Sequence, residues 1–213
     1  MAAHDGHQGA KIDIPLKGYD YFDKRCGERA KSFQIIKDRD DGKVYVGAMT
    51  DVAESFERSR ESYAGTVRTD AIGLDFGLTA MFASDQGELL GRGSKAKLQA
   101  MDRVVSSIAK HVQRSGRKPR NSKRYCTWVA KVRGFITTEI NSVINRLIEV
   151  RRPLRLYLEK LNFQSPGMSA RMNRMMQNCG RAVLRTKLEA IKQEFCIEAT
   201  EVASAYSSQT CSR

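Results

Sequence analysis

One stretch limits this chain more than any other. Residues 71–84 read "AIGLDFGLTAMFAS", an apolar, glycine-punctuated, strand-like run with a single carboxylate, Asp75, set inside it. A lone carboxylate in such surroundings is costly, and the usual relief is protonation, a cationic side chain or a metal ion. A second strand-like stretch, "LRLYLEKLNF" (154–163), sets Leu154, Leu156 and Leu158 on one face and Arg155, Tyr157 and Glu159 on the other. If the two strands lie side by side, Asp75 and Glu159 emerge at one edge of a sheet. Two close carboxylates repel unless a divalent cation sits between them, and hard Mg²⁺ or Mn²⁺ suits an oxygen-only pair. Two such ions can activate a water and stabilise the leaving oxygen of a phosphodiester. Gly73 and Gly77 flank Asp75 without side-chain bulk, which leaves room for a phosphate backbone to approach. The bland alternative is that Asp75 caps a turn and Glu159 pairs with Arg155 or Lys160 at the surface.

The rest of the pattern places these strands in a domain. The opening residues 1–10, rich in Ala, Gly and His, read as a disordered N-terminus. Residues 11–54 form a β-hairpin segment. "KIDIPL" (11–16) is an edge strand at most because of Pro15, and 32–49 is two apolar runs joined by a turn at Asp41-Gly42. Val44, Val46 and Ala48 share one face of the second run. Residues 55–69 read as a linker or short helix, and 70–210 as one domain with a helical insertion at 97–150. Inside the insertion Leu98, Met101, Val105, Ile108 and Val112 recur at helical spacing. A Gly/Pro loop covers 114–124, and a long helix carries Trp128, Val132, Phe135, Ile136, Ile140, Val143, Ile144 and Leu147 up to Pro153. A further helix spans 170–195, with Leu184, Leu188, Ile191 and Phe195 as its stripe, and 196–203 is a last strand. Two strands, helices, a strand, a helix and a strand predict an α/β layered domain with a mixed sheet, preceded by a small β-rich segment.

Charge supplies the partner. The net charge is +13, but residues 1–91 hold 12 Lys/Arg against 16 Asp/Glu, while residues 92–133 hold 13 against 1. Such a concentration, Arg-rich and followed by Tyr125 and Trp128, predicts a phosphate-binding surface. Arg114, Arg117, Lys118, Arg120, Lys123, Arg124, Lys131 and Arg133 are its candidate contacts. The expected partner is nucleic acid, with no small-molecule substrate. No run approaches a membrane span, so no membrane partner is expected. Five widely spaced cysteines without a C-x-x-C pair predict reduced thiols in the cytoplasm.

"GLDFGL" also looks like the phosphate loop of actin-like ATPases and sugar kinases, but Leu78 stands where that loop wants Thr or Ser. A different resemblance covers roughly residues 70–213. "IGLDFGLTAMFASDQGELLG", "LYLEKLNF" and "EVASAYSSQTCSR" resemble the RuvC-type nuclease of the transposon-encoded, RNA-guided DNA endonucleases called TnpB or OrfB, kin of the compact type V CRISPR effectors. "GKVYVGA" is similar to the last strands of their wedge domain. The resemblance implies an RNase H-like fold with catalytic carboxylates on the first strand, Asp75, and at the end of the fourth, Glu159. It implies Mg²⁺ or Mn²⁺, DNA and guide RNA as partners, and a prokaryotic, nucleoid-associated location. In that family "SSQTCSR" opens a zinc ribbon of two C-x-x-C pairs, followed by a third catalytic Asp. Here 211–213 would be the start of a truncated ribbon, Cys211 an incomplete Zn²⁺ site, and zinc a cofactor only of a full-length form. The expectation is therefore an incomplete endonuclease, weakly active or inactive alone, or a non-catalytic nucleic-acid-binding remnant using 92–133.

Overall fold

Alternating apolar residues pair two strands near the start of the described residues. In the computed structural model, which describes residues 29–38, 42–76, 80–159 and 167–202, strand β1 (Arg29–Lys37) pairs antiparallel with β2 (Val44–Thr50). Phe33 lies opposite Ala48 and Ile35 opposite Val46. Period-two alternation thus puts Val44, Val46 and Ala48 on one face with Phe33 and Ile35. That face is exposed, and among the described residues the sheet has two strands only. The chain divides into Met1–Ser55, which holds this pair of strands, and Phe56–Arg213. "KIDIPL" and the first ten residues lie outside the described residues.

Helix α1 (Ala53–Ala64) fills most of the stretch expected to be linker or short helix. The second unit is a mixed α/β domain around five strands: β3 (Thr69–Asp75), β4 (Phe82–Ser84), β5 (Leu89–Leu90), β6 (Pro153–Glu159) and β7 (Glu198–Val202). Their order is β5-β4-β3-β6-β7. β3, β6 and β7 run parallel, while β4 pairs antiparallel with β3 and β5 antiparallel with β4. The helices are α2 (Ser94–Arg114), α3 (Lys123–Arg151), α4 (Ala170–Met175) and α5 (Arg181–Phe195), the last two joined by a π turn at Met176–Gly180.

The core lies on one face of the sheet. Ile72, Leu74, Phe82, Leu156 and Leu158 are buried with Ile136, Ile140 and Ile144 of α3, Leu98 and Val105 of α2, and Leu184 and Ile191 of α5. The π turn has a packing cause. Buried positions recur as Met172, Met176, Gly180 and Leu184, a four-residue repeat that drifts by about 40° per step on a straight α-helix. One wider turn cancels the drift and keeps the apolar stripe on α3.

α3 reaches β6 through Arg152 alone, which takes a left-handed conformation (φ 45°) and donates its N–H to the Ile148 carbonyl at 3.0 Å. The helix must therefore run back over the sheet. Its buried residues extend from Val132 to Ile148, about 25 Å of helix against about 23 Å for the seven residues of β6. In residues 123–131 none is fully buried, and Tyr125, Trp128 and Val129 are partly buried against the core.

Gly91 is a point of close approach. Its φ is +69°, and an added Cβ would stand 2.8 Å from the Met81 Cβ and 3.2 Å from Glu139 Oε1. The Met81 Cβ cannot swing aside. Gly91→Ala is expected to cost about 2–5 kcal/mol, combining the left-handed penalty with overpacking, read as a lower midpoint in urea unfolding.

Candidate functional site

Parallel pairing decides the fate of the two carboxylates. Leu74 lies beside Leu158 in the β3–β6 register, so the next residues, Asp75 and Glu159, end their strands side by side. Their carboxyl groups are close enough to act on each other. The Asp75 carboxyl is raised above its ordinary pKa. Partial burial of the group is the largest cause, followed by the neighbouring Glu159 carboxyl, with the Phe76 backbone pulling the other way. Asp75 as a residue remains exposed, so an ion in solution can reach it.

The bland surface pairing does not hold for the described residues. Asp75 is in a strand, and Arg155 points to Asp70 (3.6 Å) and Glu198 (3.8 Å), not to Glu159. Lys160 lies outside the described residues. One expectation needs correction. The space over Gly73 is not open to a phosphate: Asp85 Cβ and Oδ2 lie 3.5 Å from where a Cβ would be, and the Asp85 N–H donates to the Gly73 carbonyl at 3.0 Å. Gly77 lies outside the described residues, as does Cys211. Among the described residues no three His, Cys, Asp or Glu gather closely enough to hold a metal. The oxygen pair of Asp75 and Glu159 fits a hard divalent cation in donor type and charge.

All eight expected phosphate contacts, Arg114, Arg117, Lys118, Arg120, Lys123, Arg124, Lys131 and Arg133, are exposed. They sit on the α2–α3 connection and the adjoining helix ends. Gly116 (φ 71°) closes α2: its N–H donates to the Gln113 carbonyl at 2.9 Å, and Arg117 N–H to that of Val112 at 3.2 Å, a Schellman cap. A 3-10 turn at Pro119–Asn121 follows, and Ser122 caps α3 by accepting from Tyr125 N–H. This tip leads into the N-terminal end of α3. Trp128 is half-buried against the core, with Lys131 Nζ 4.9 Å from its ring centre.

Sequence reasoning missed Asp102, the single acid of residues 92–133. It is buried on α2. Ser169 donates its backbone N–H to Oδ2 (2.6 Å) and its hydroxyl to Oδ1 (2.7 Å), and the Ser106 hydroxyl donates to Oδ1 at 3.2 Å. Ser169 is in turn the N-cap of α4. The signal was present, because Asp102 falls on the apolar stripe between Leu98 and Val105. Its burial leaves the exposed part of the stretch without a carboxylate.

A groove of about 660 Å³ between residues 87–92 and α3 offers less chemistry. Glu88 is taken by Arg151 at 2.6 Å, and the Ser94 hydroxyl donates to Glu139 at 2.6 Å. No described helix is long and apolar enough to cross a membrane. No family model matches the chain, and no curated protein matches it either.

Proposed function

We propose that the chain is part of a metal-dependent, RNA-guided DNA endonuclease of the RuvC-like TnpB/OrfB type, with an RNase H-like fold, acting in the cytoplasm at the nucleoid. One observation carries the reading. β3 and β6, the first and fourth strands of the Phe56–Arg213 unit, pair in parallel and bring Asp75 and Glu159 together at their ends. Those two side chains would hold Mg²⁺ or Mn²⁺. When bound, the ion supplies Lewis-acid activation of water for phosphodiester hydrolysis. The tip from Arg114 to Arg133 holds the phosphodiester backbone of target DNA and guide RNA, leaving sequence to base pairing.

Calorimetric titration with Mn²⁺ tests the metal. Wild type is expected to bind, and Asp75→Ala or Glu159→Ala to weaken binding by at least about tenfold, the cost of losing even an outer partner of a metal site. Heat indistinguishable from buffer in wild type would end the nuclease reading.

The second reading, a non-catalytic nucleic-acid binder, is favoured by the tip itself, which needs no metal. Changing Arg117, Arg120, Lys123 and Arg124 together to Gln is expected to flatten the log–log salt slope of DNA binding by about 3–4. Both readings require this result. Retained binding without any Mn²⁺ uptake would select the second.

A further inference from the structure

We propose that the outward side of the α4–α5 helix is a second phosphodiester-binding surface, continuous with the α2–α3 tip. The inference extends the nucleic-acid part of the function proposed above and rests on it.

Between Glu159 and Glu189 the chain contains no acidic residue, while Arg171 and Arg174 fall on α4 and Arg181, Arg185 and Lys187 on α5. The helix buries Met172, Met176, Gly180, Leu184 and Ile191 on the side facing the core. With that stripe held in line by the π turn, Arg174 and Arg185 project on the opposite half, and both are exposed. Arg171 and Arg181 flank them. Along the axis Arg174 and Arg185 are about 15 Å apart, within the footprint of one duplex, which presents a phosphate charge about every 1.7 Å.

Continuity comes from a stacked pair. The Arg171 guanidinium lies over the Tyr125 ring, 5.5 Å from its centre, and Tyr125 follows Lys123 and Arg124 of the tip. An aromatic ring beneath a guanidinium fixes its plane and leaves its N–H donors pointing outward. Cations therefore continue from the tip onto α4 with no exposed carboxylate in the described residues of either stretch.

The occupant is chosen by charge. Arg171, Arg174, Arg181 and Arg185 outnumber the one fully exposed acid of the helix, Glu189, which lies one turn from Arg185, and a polyanion relieves the repulsion within such an excess by releasing condensed counterions. A merely solvated face predicts no such coupling.

The test is fluorescence anisotropy with a DNA duplex of about 30 base pairs at several salt concentrations. The samples are wild type, the double variant Arg174→Gln/Arg185→Gln, and the tip variant described above. Both positions are exposed, so the double variant should melt with wild type. Its salt slope is expected to fall by about 2, and its affinity near 0.15 M salt by about tenfold. An unchanged slope in the double variant, with a flattened slope in the tip variant, overturns this surface and leaves the tip standing. Absence of salt-dependent binding by wild type overturns both.

Discussion

Asp75→Asn is expected to stabilise the metal-free protein at neutral pH and to abolish its stabilisation by Mn²⁺. The reason is the raised Asp75 carboxyl. Because the folded state binds this proton more tightly than the unfolded state, its contribution to stability is fully present below the ordinary carboxylate value, about 4. It is lost as pH climbs from there through the raised value. Above that window the wild type sets two carboxylates against each other, while asparagine puts a neutral amide beside Glu159 without the second charge. The gap between variant and wild type should open with rising pH and then level off. Metal reverses the ranking. At a concentration about 100 times its Kd, Mn²⁺ adds about 2.7 kcal/mol to the wild type, or about 5–10 °C in Tm for a chain of this size, and nothing comparable to the variant. Thermal melts across pH, with and without Mn²⁺, read both effects. Parallel curves for the two proteins would mean that the carboxylates do not act as a pair.

Asp102→Ala is expected to lower stability strongly. It removes the acceptor for the Ser169 N–H and hydroxyl and leaves buried donors unmet. The cost should be about 3 kcal/mol, which lowers Tm by about 6–12 °C. Asp102→Asn is expected to recover only part of this, because its amide can accept through one atom only and turns a donor toward another donor. Gly167 shows how close the contact is, since a Cβ there would stand 3.0 Å from Gln99 Nε2 on the same face of α2. Melting together with urea unfolding measures the change. A loss within about 0.5 kcal/mol, the range of ordinary surface substitutions, would show that this carboxylate does not fasten α4 to α2.

Much of the architecture was legible because it is written in periodicity. Leu98, Val105 and Val112 mark α2 and Ile136, Ile140 and Ile144 mark α3 through helical spacing, and Pro153 marks where α3 must give way. Leu156 and Leu158 against Tyr157 and Glu159 gave the two faces of β6. Gly73 misled, because a glycine reports that something approaches closely but not what. Here it is the neighbouring turn residue Asp85. The arginines of α4 and α5 escaped notice because they are scattered among apolar residues. Only the π turn and the buried stripe show that they share the outward half of one helix.

By itself the sequence determined the α/β class, the elements, the concentration of positive charge and the two acids worth watching. All of these follow from local spacing and side-chain chemistry. It left open whether Asp75 and Glu159, 84 positions apart, would meet, where the cations would lie relative to them, and which acid would be buried. Those depend on which strands pair and in what direction. The parallel register of β3 on β6 joined the carboxylates, and the left-handed turn at Arg152 sent α3 back over the sheet. Pairing partners are chosen by the whole core at once, because each strand's alternation fits several neighbours equally well until the helices covering one face select among them.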